Sequence, residues 1–339
     1  MVNDQGTVLV TGGAGYIGSH AIWALHDAGR SVVVIDDLST GNRVLLPGDV
    51  TLIVGDAGDR GRVEALIGDY GCTAVMHFAG SIVVGESVDN PLAYYANNAG
   101  VTLNLIRACL AGGITRFVYS STAAVYGQPI RLPVGEDAPT QPLNPYGHSK
   151  LMAEQMLCDA ARAHGLQFAI LRYFNVAGAD PEGRTGQSSI QPTHLIKRAC
   201  QAALGLGDGI EIFGADYDTI DGTCVRDYLH VSDLAEAHLA ALSHLAGGGE
   251  SLILNCGYGG GASVRQVLAA VEAEAGVKLN PRTAARRPGD AAELVADAKR
   301  IRAALGWQPQ HDDLRFIVKT ALAWERRLIA RRNPATAGP

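Results

Sequence analysis

Six short runs rich in apolar and β-branched residues, separated by segments with helical spacing, constrain this chain more than any other feature: TVLVT (7–11), SVVVIDD (31–37), TLIVGD (51–56), AVMHFAG (74–80), RFVYSST (116–122) and FAILRYFN (168–175). Strands that are apolar along their whole length need cover on both faces, which a parallel sheet between two helical layers provides. The intervening segments, among them SHAIWALHDAG and AGVTLNLIRACLAGG, have helical periodicity and end in glycine. The pattern predicts an α/β fold with a Rossmann-like doubly wound parallel sheet.

Beyond about residue 175 the rhythm loosens into the loop GADPEGRTGQSS. Helical THLIKRACQAALG, the strand EIFG, a helix around VSDLAEAHLAALSHL, the strand SLILNCG and two further helices follow. We expect residues 1–178 to form a dinucleotide-binding domain. Residues 179–332 are expected to form a smaller mixed α/β lobe that grips substrate and returns elements to the main sheet. The tail 333–339, NPATAGP, reads as disordered.

Apolar residues make up 47% of the 339 residues and charged ones 18%, enough to bury a large core. A net charge of -6 gives no electrostatic reason to bind nucleic acid or an anionic membrane, although a local basic pocket for a phosphate-bearing small molecule is compatible with it. The six cysteines are scattered, with no CxxC pair and no histidine at zinc-ligand spacing, so reduced thiols and no metal are expected. No cleavage site or membrane-length apolar run is present, which points to a cytoplasmic protein.

The turn Thr11-Gly12-Gly13-Ala14-Gly15-Tyr16-Ile17-Gly18 follows the first strand and opens the first helix. Glycines there allow a tight turn and close approach of a pyrophosphate, and the helix start supplies amide donors. Asp36 ends the second strand, where a carboxylate accepts from both hydroxyls of an adenine ribose and repels a 2′-phosphate. NAD is therefore expected rather than NADP. Asp56 and the segment Phe78-Ala79-Gly80 fall at the same sheet edge, and for Asp56 loop capping is an equal alternative.

In NPYGHSK, Asn144 suits an N-cap and Pro145 the first helical position, so Tyr146 and Lys150 share one face a turn apart. A phenol with pKa ~10 needs a shift of ~3 units, or ~4 kcal/mol, to serve as a base near neutrality. One ammonium ~4 Å away at an effective dielectric of ~20 supplies about that much. Oxidised nicotinamide would add a second positive charge. The strand RFVYSST brings Ser120, Ser121 and Thr122 to the same edge, and Thr122, at its mouth, is the candidate relay to Tyr146.

These segments, with HFAGSIVVGESV, YYANN, SSTAAVYG, LRYFNVAGA, DGTCVRDYLHVSDLA and RRPGDAAELVAD, resemble the extended short-chain dehydrogenase/reductase family over nearly the whole chain, and within it the UDP-glucose (UDP-galactose) 4-epimerase family. The resemblance implies an isomerase that retains NAD. Tyr146 would take a proton from the sugar 4-hydroxyl as hydride leaves carbon 4, and the 4-keto sugar would turn over and be reduced on its other face. Lys150 would lower the tyrosine pKa and hold the nicotinamide ribose, while Thr122 bridges Tyr146 and the sugar oxygen. The cofactor would lie against Gly12, Gly15, Tyr16, Ile17, Gly18, Asp36, Asp37, Asp56, Ala57, Phe78, Ala79, Gly80, Asn97, Ser120 and Tyr173, besides Tyr146 and Lys150.

The UDP of the sugar would be held by Asn175, His194, Leu195 and Phe213, with Arg226, Arg287 and Asp290 near the diphosphate and ribose. A homodimer through paired helices is also implied, although LMAEQMLCDAARA offers apolar residues equally to a partner or to the sheet. Three departures from the family pattern stand out. Ala124 replaces a threonine, Ile82 replaces a lysine near the cofactor, and Leu294 replaces a large tyrosine of some members at the sugar pocket. The last departure leaves room for an N-acetyl group, so UDP-N-acetylglucosamine is a further candidate substrate, and a UDP-pentose remains an alternative.

Two rival functions are separable. A nucleotide-sugar 4,6-dehydratase carries an Asp-Glu pair directly after the catalytic threonine, and here Thr122 precedes Ala123-Ala124. A non-catalytic NAD-binding module would be free to lose Tyr146 or Lys150, and both are present.

Overall fold

The computed structural model describes residues 6–189, 192–207, 209–287 and 290–332; the tail 333–339 lies outside the described residues. The strands of the first half are β1 (Thr7–Thr11), β2 (Val32–Asp36), β3 (Thr51–Val54), β4 (Cys72–His77), β5 (Arg116–Thr122) and β6 (Gln167–Tyr173). Its helices are α1 (Tyr16–Asp27), α2 (Arg60–Asp69), α3 (Val84–Asp89), α4 (Pro91–Tyr94), α5 (Val101–Ala111) and α6 (Pro145–His164). The second half contributes β7 (Asn175–Ala177), β8 (Glu211–Phe213), β9 (Val225–His230), β10 (Leu252–Cys256), β11 (Gly261–Ser263), β12 (Arg282–Ala284) and β13 (Glu293–Leu294). With them come α7 (Leu195–Ala203), α8 (Val231–Ala246), α9 (Val264–Ala275), α10 (Lys299–Leu305) and α11 (Leu314–Arg332).

Seven strands form one parallel sheet in the order β10-β6-β5-β4-β1-β2-β3. This is the Rossmann-like arrangement expected from the sequence, with the order reversing between β1 and β4, where ligands of such sheets lie. Successive side chains enter different cores because the side-chain period of a strand is two. Val8, Val10, Val34, Met76, Val118 and Leu171 pack on the face that carries α1 and α8. Leu9, Val33, Ile35, Val75, Phe117 and Ile170 pack on the face that carries α2, α5 and α6. Both faces are covered, which is why these strands read as continuous apolar runs.

A four-stranded sheet, β11-β9-β13 with β7 beside β9, and the parallel pair β12-β8 sit in the second half. A separate core from α7, α9 and α11 includes Ile196, Val267, Val271, Val318 and Leu322. The two halves are tied at α1. The Tyr16 hydroxyl donates to the Gly178 carbonyl at 2.7 Å, Ser19 and Thr185 share a hydroxyl bond of 2.7 Å, and Arg184 bridges Asp27 and Asp180.

Four buried histidines carry a folding consequence. Burial, the largest cause in each case, lowers His77 and His230 to about 3 and His20 and His238 to about 4. These pKa values are depressed below the ordinary 6.5, so as pH falls through 6.5 the unfolded chain takes up protons that the folded chain refuses. Stability is therefore lost from about pH 7 downward, by on the order of 1 kcal/mol per histidine between pH 7.5 and 5.5. Urea unfolding at those two pH values is expected to show a clearly lower midpoint at pH 5.5; equal midpoints would contradict the assignment of four neutral histidines.

Candidate active site

The turn after β1 is built for close approach. Gly12 has φ +68, and a Cβ there would stand 2.5 Å from the backbone nitrogen of Ala79. A Cβ at Gly18 would lie 2.3 Å from the Gly12 carbonyl oxygen, so α1 rests directly on the turn. Gly15 is the N-cap of the 12-residue α1, and no side chain caps it. The first-turn amides thus face the sheet edge with the positive end of the helix dipole, the arrangement that suits a pyrophosphate. Tyr16 and Ile17 begin the helix, and both lean on the α1-side core.

Asp36 ends β2 and is buried. Its carboxylate accepts from the Ala14 and Leu38 amides, both at 2.8 Å, and therefore braces the glycine turn. Burial raises its pKa, and the two amide bonds oppose that rise. Asp37 is exposed and accepts from the amide and hydroxyl of Ser39. Asp56 is exposed and accepts from the Gly58 amide at 2.7 Å, with Ala57 buried beside it. Phe78, Ala79 and Gly80 follow β4, and the Phe78 amide donates to the Thr11 carbonyl at 2.9 Å.

The helix carrying the acid–base motif starts where the sequence places it. Asn144 caps it by accepting from the Gly147 amide at 2.9 Å, and Pro145 occupies the first turn. Tyr146 and Lys150 are both buried. The Lys150 ammonium donates to the Ser120 carbonyl at 2.8 Å and lies 4.7 Å from the Tyr119 ring centre. The Ser120 hydroxyl donates to the Tyr173 hydroxyl at 3.1 Å. Thr122 accepts from the Ala124 amide at 3.1 Å, capping the short turn after β5.

On the sequence reading, both Lys150 and a positively charged cofactor are needed to acidify Tyr146; burial raises the phenol's pKa, and the Thr122 hydroxyl opposes that rise. The reason is dehydration: both groups have left water, and burial lowers the ammonium to about 8, with Glu154 pulling it back up. In the free protein Tyr146 is a protonated phenol, and acidifying it requires further positive charge at the site.

Two residues unassigned by the sequence reading hold this cluster. Asn98 is buried in a π-helical turn, Tyr95–Gly100, of a kind often found at functional sites. It accepts from the Ser81 amide at 2.7 Å and donates to the Ser81 carbonyl at 3.0 Å and the Ser149 hydroxyl at 2.9 Å. Its neighbour Asn97, the sequence candidate, is exposed and donates to the Ser81 hydroxyl at 2.8 Å.

His77 links β1 to the same turn. Thr102 donates to the Asn98 carbonyl, so it accepts from His77 Nε2–H at 2.9 Å, and Nδ1 accepts from Thr11 at 2.6 Å. The doublet NN and the histidine of HFAG were visible in the sequence; their directions were not.

The residues expected around a nucleotide sugar gather on the second half. Asn175 opens β7, and Leu195 opens α7 with His194 at its N-cap. His194 Nδ1 accepts from the Gln187 amide at 2.7 Å. Arg287 stacks 3.7 Å from the centre of the Phe213 ring. Arg226 pairs with Asp290 at 3.4 Å and donates to the Val225 carbonyl. Leu294, in β13, packs toward the cluster of Ala123, Val125, Tyr126 and Phe174, while Ile82 is exposed. Among the described residues no cluster of metal-ligating side chains is present, and no helix is long and apolar enough to cross a membrane.

The sequence matches the model of the NAD dependent epimerase/dehydratase family over residues 8–257. It is 60% identical over 321 residues to the UDP-glucose 4-epimerase of Azospirillum brasilense, covering 95% of this chain and 92% of that one. The fold superposes on the UDP-glucose 4-epimerase of Brucella ovis in complex with NAD with a TM-score of 0.91 at 44% identity, covering 94% and 98% of the two chains. A UDP-glucose-4-epimerase from Stenotrophomonas maltophila, with bound NAD and formylated UDP-arabinopyranose, gives 0.93 at 39% identity, covering 96% and 100%. With the turn, the sheet edge and α6 all inside the matched span, the chain belongs to the NAD dependent epimerase/dehydratase family.

Proposed function

We propose that this protein interconverts UDP-glucose and UDP-galactose by oxidising carbon 4 of the sugar and reducing it again on the opposite face. The observation that carries the reading is the surroundings of Thr122. Tyr146, Lys150 and Thr122 meet at one end of the sheet, and the residues directly after Thr122 are the alanines Ala123 and Ala124. A proton can be moved at a sugar oxygen there, while that position supplies no acid–base pair to eliminate water. The names of the relatives support the same activity.

The chain fits the cofactor its family is named for. Gly12, Gly15 and Gly18 leave the space, the uncapped start of α1 supplies amides, and Asp36 supplies a carboxylate that disfavours a 2′-phosphate. Tyr16, Ile17, Asp37, Asp56, Ala57, Phe78, Ala79, Gly80, Asn97, Ser120 and Tyr173 complete the proposed wall. NAD, when bound, supplies the hydride acceptor and a positive nicotinamide.

Tyr146 acts as the general acid/base, held as a neutral phenol until positive charge gathers around it. Lys150 contributes part of that charge and anchors to the end of β5. Thr122 orients the exchanged hydroxyl. Asn175, His194, Leu195 and Phe213 hold the uridine, and Arg226, Arg287 and Asp290 hold the diphosphate and ribose, where a planar guanidinium donates two bonds to one phosphate. That separation keeps the handle fixed while the sugar turns.

We further propose a reducing cytoplasmic setting, consistent with six unpaired cysteines, and a homodimer. Leu103 on α5 and Met152 on α6 are 37% and 50% exposed although their helices pack together, and they offer one apolar face to a second copy.

Incubation with UDP-galactose, UDP-N-acetylgalactosamine and UDP-xylose in separate reactions, with products resolved, is expected to give UDP-glucose from the first. Absence of that product in protein that retains NAD would sink the reading. Formation of the N-acetylated epimer would show that Leu294 leaves the room its size implies. Tyr146→Phe is expected to fold and retain NAD while turnover falls at least ~100-fold; near-normal turnover would refute the acid/base role. Light scattering is expected to give twice the 35.5 kDa chain mass, and Leu103→Glu with Met152→Glu to return it to one.

A further inference from the structure

Glu154 lies one turn beyond Lys150 on α6, and Arg172 faces it from β6; both are buried. The guanidinium donates from Nε to both carboxylate oxygens at 3.1 Å and from a terminal nitrogen to Oε2 at 2.6 Å. Its other terminal nitrogen donates to the Tyr126 hydroxyl at 3.0 Å, which donates in turn to Asn255 at 2.7 Å. Ser121 donates to the carboxylate at 2.5 Å. A buried ion pair is a weak source of stability, since well-packed apolar replacements are often neutral or better.

Its position gives it another use. Ser121 stands between Ser120, whose carbonyl takes the Lys150 ammonium, and Thr122. Period two along β5 turns Ser121 toward α6 and the carboxylate. Tyr126 closes the turn that follows Thr122. The titratable groups around the ammonium are Glu154 and, one turn before the lysine, Tyr146 on α6, Tyr119 on β5 and His77 on β4, while Arg172 and Tyr173 on β6 are bonded to Glu154 and Ser120. Of these, burial keeps the tyrosines and His77 uncharged, which leaves the carboxylate and its guanidinium as the charges. Glu154 is the partner whose charge Lys150 feels.

We propose that Glu154 and Arg172 form a positioning pair for the acid–base site: they set a fixed negative charge within reach of the Lys150 ammonium and lock that charge to the end of β5 that carries Thr122. The proposal rests on Tyr146 and Lys150 being the acid–base residues, but it is tested by reading the lysine directly. The chain has five lysines, Lys150, Lys197, Lys278, Lys299 and Lys319, so 13Cε-lysine NMR gives a spectrum in which Lys150→Arg identifies one signal.

In Glu154→Gln, which keeps an acceptor for Ser121, the Lys150 titration midpoint is expected to fall by about one pH unit or more. The double variant Glu154→Gln with Arg172→Met, which leaves no lone buried guanidinium, is expected to fall in the same direction by less. The alkaline limb of kcat is expected to move with the midpoint, with KM for UDP-galactose changed less than about twofold because the uridine residues lie elsewhere. A midpoint equal to the parent's in both variants would overturn the proposal. A shifted midpoint in a protein that turns over no UDP-sugar would support it and overturn the epimerase reading instead.

Discussion

The last three residues of β5 organise the buried polar cluster at the sheet edge because a strand must present its side chains alternately. Ser120 and Thr122 fall on one face and Ser121 on the other, while the Ser120 carbonyl points along the sheet to the Lys150 ammonium. One extended segment therefore meets Tyr173, Glu154 and Lys150 at once. A slip of one residue in its pairing with β6 would exchange these partners. Both neighbours of β5 are parallel and central in the sheet, which is where register is held most firmly.

The same packing that fixes geometry makes charge expensive. Tyr146 and Lys150 are both dehydrated, and dehydration pushes each toward its neutral form. A tyrosine held protonated and a lysine whose pKa is lowered toward neutrality are poised groups rather than active ones. In the proposed mechanism their working state would depend on charges brought to the site, coupling proton transfer to the presence of a cofactor without any moving part.

The sheet was legible because its strands bury both faces, and the start of α6 was legible because Asn144 and Pro145 have specific geometric uses. The glycine turn was legible for the same reason. What the sequence hid were interactions between distant positions. Nothing local distinguishes Asn98 from Asn97, yet the π-helical turn buries the first and exposes the second. Likewise Glu154 reads as an ordinary helix-surface residue until Arg172, 18 positions away, is seen to face it. The charge arithmetic for Tyr146 and Lys150 left out burial, the largest influence on both groups, because a sequence carries no measure of it.

The stacking of Arg287 on Phe213 and the pairing of Arg226 with Asp290 have a further consequence. Long cationic side chains normally lose much rotational freedom when they clasp an anion. Here that freedom is already restricted in the free protein, so a diphosphate reaching these guanidinium groups would exchange partners instead of ordering loose chains. The smaller ordering cost favours binding of the diphosphate, and the Asp290 pairing that Arg226 would give up offsets part of that gain, so the grip is set by an exchange of partners.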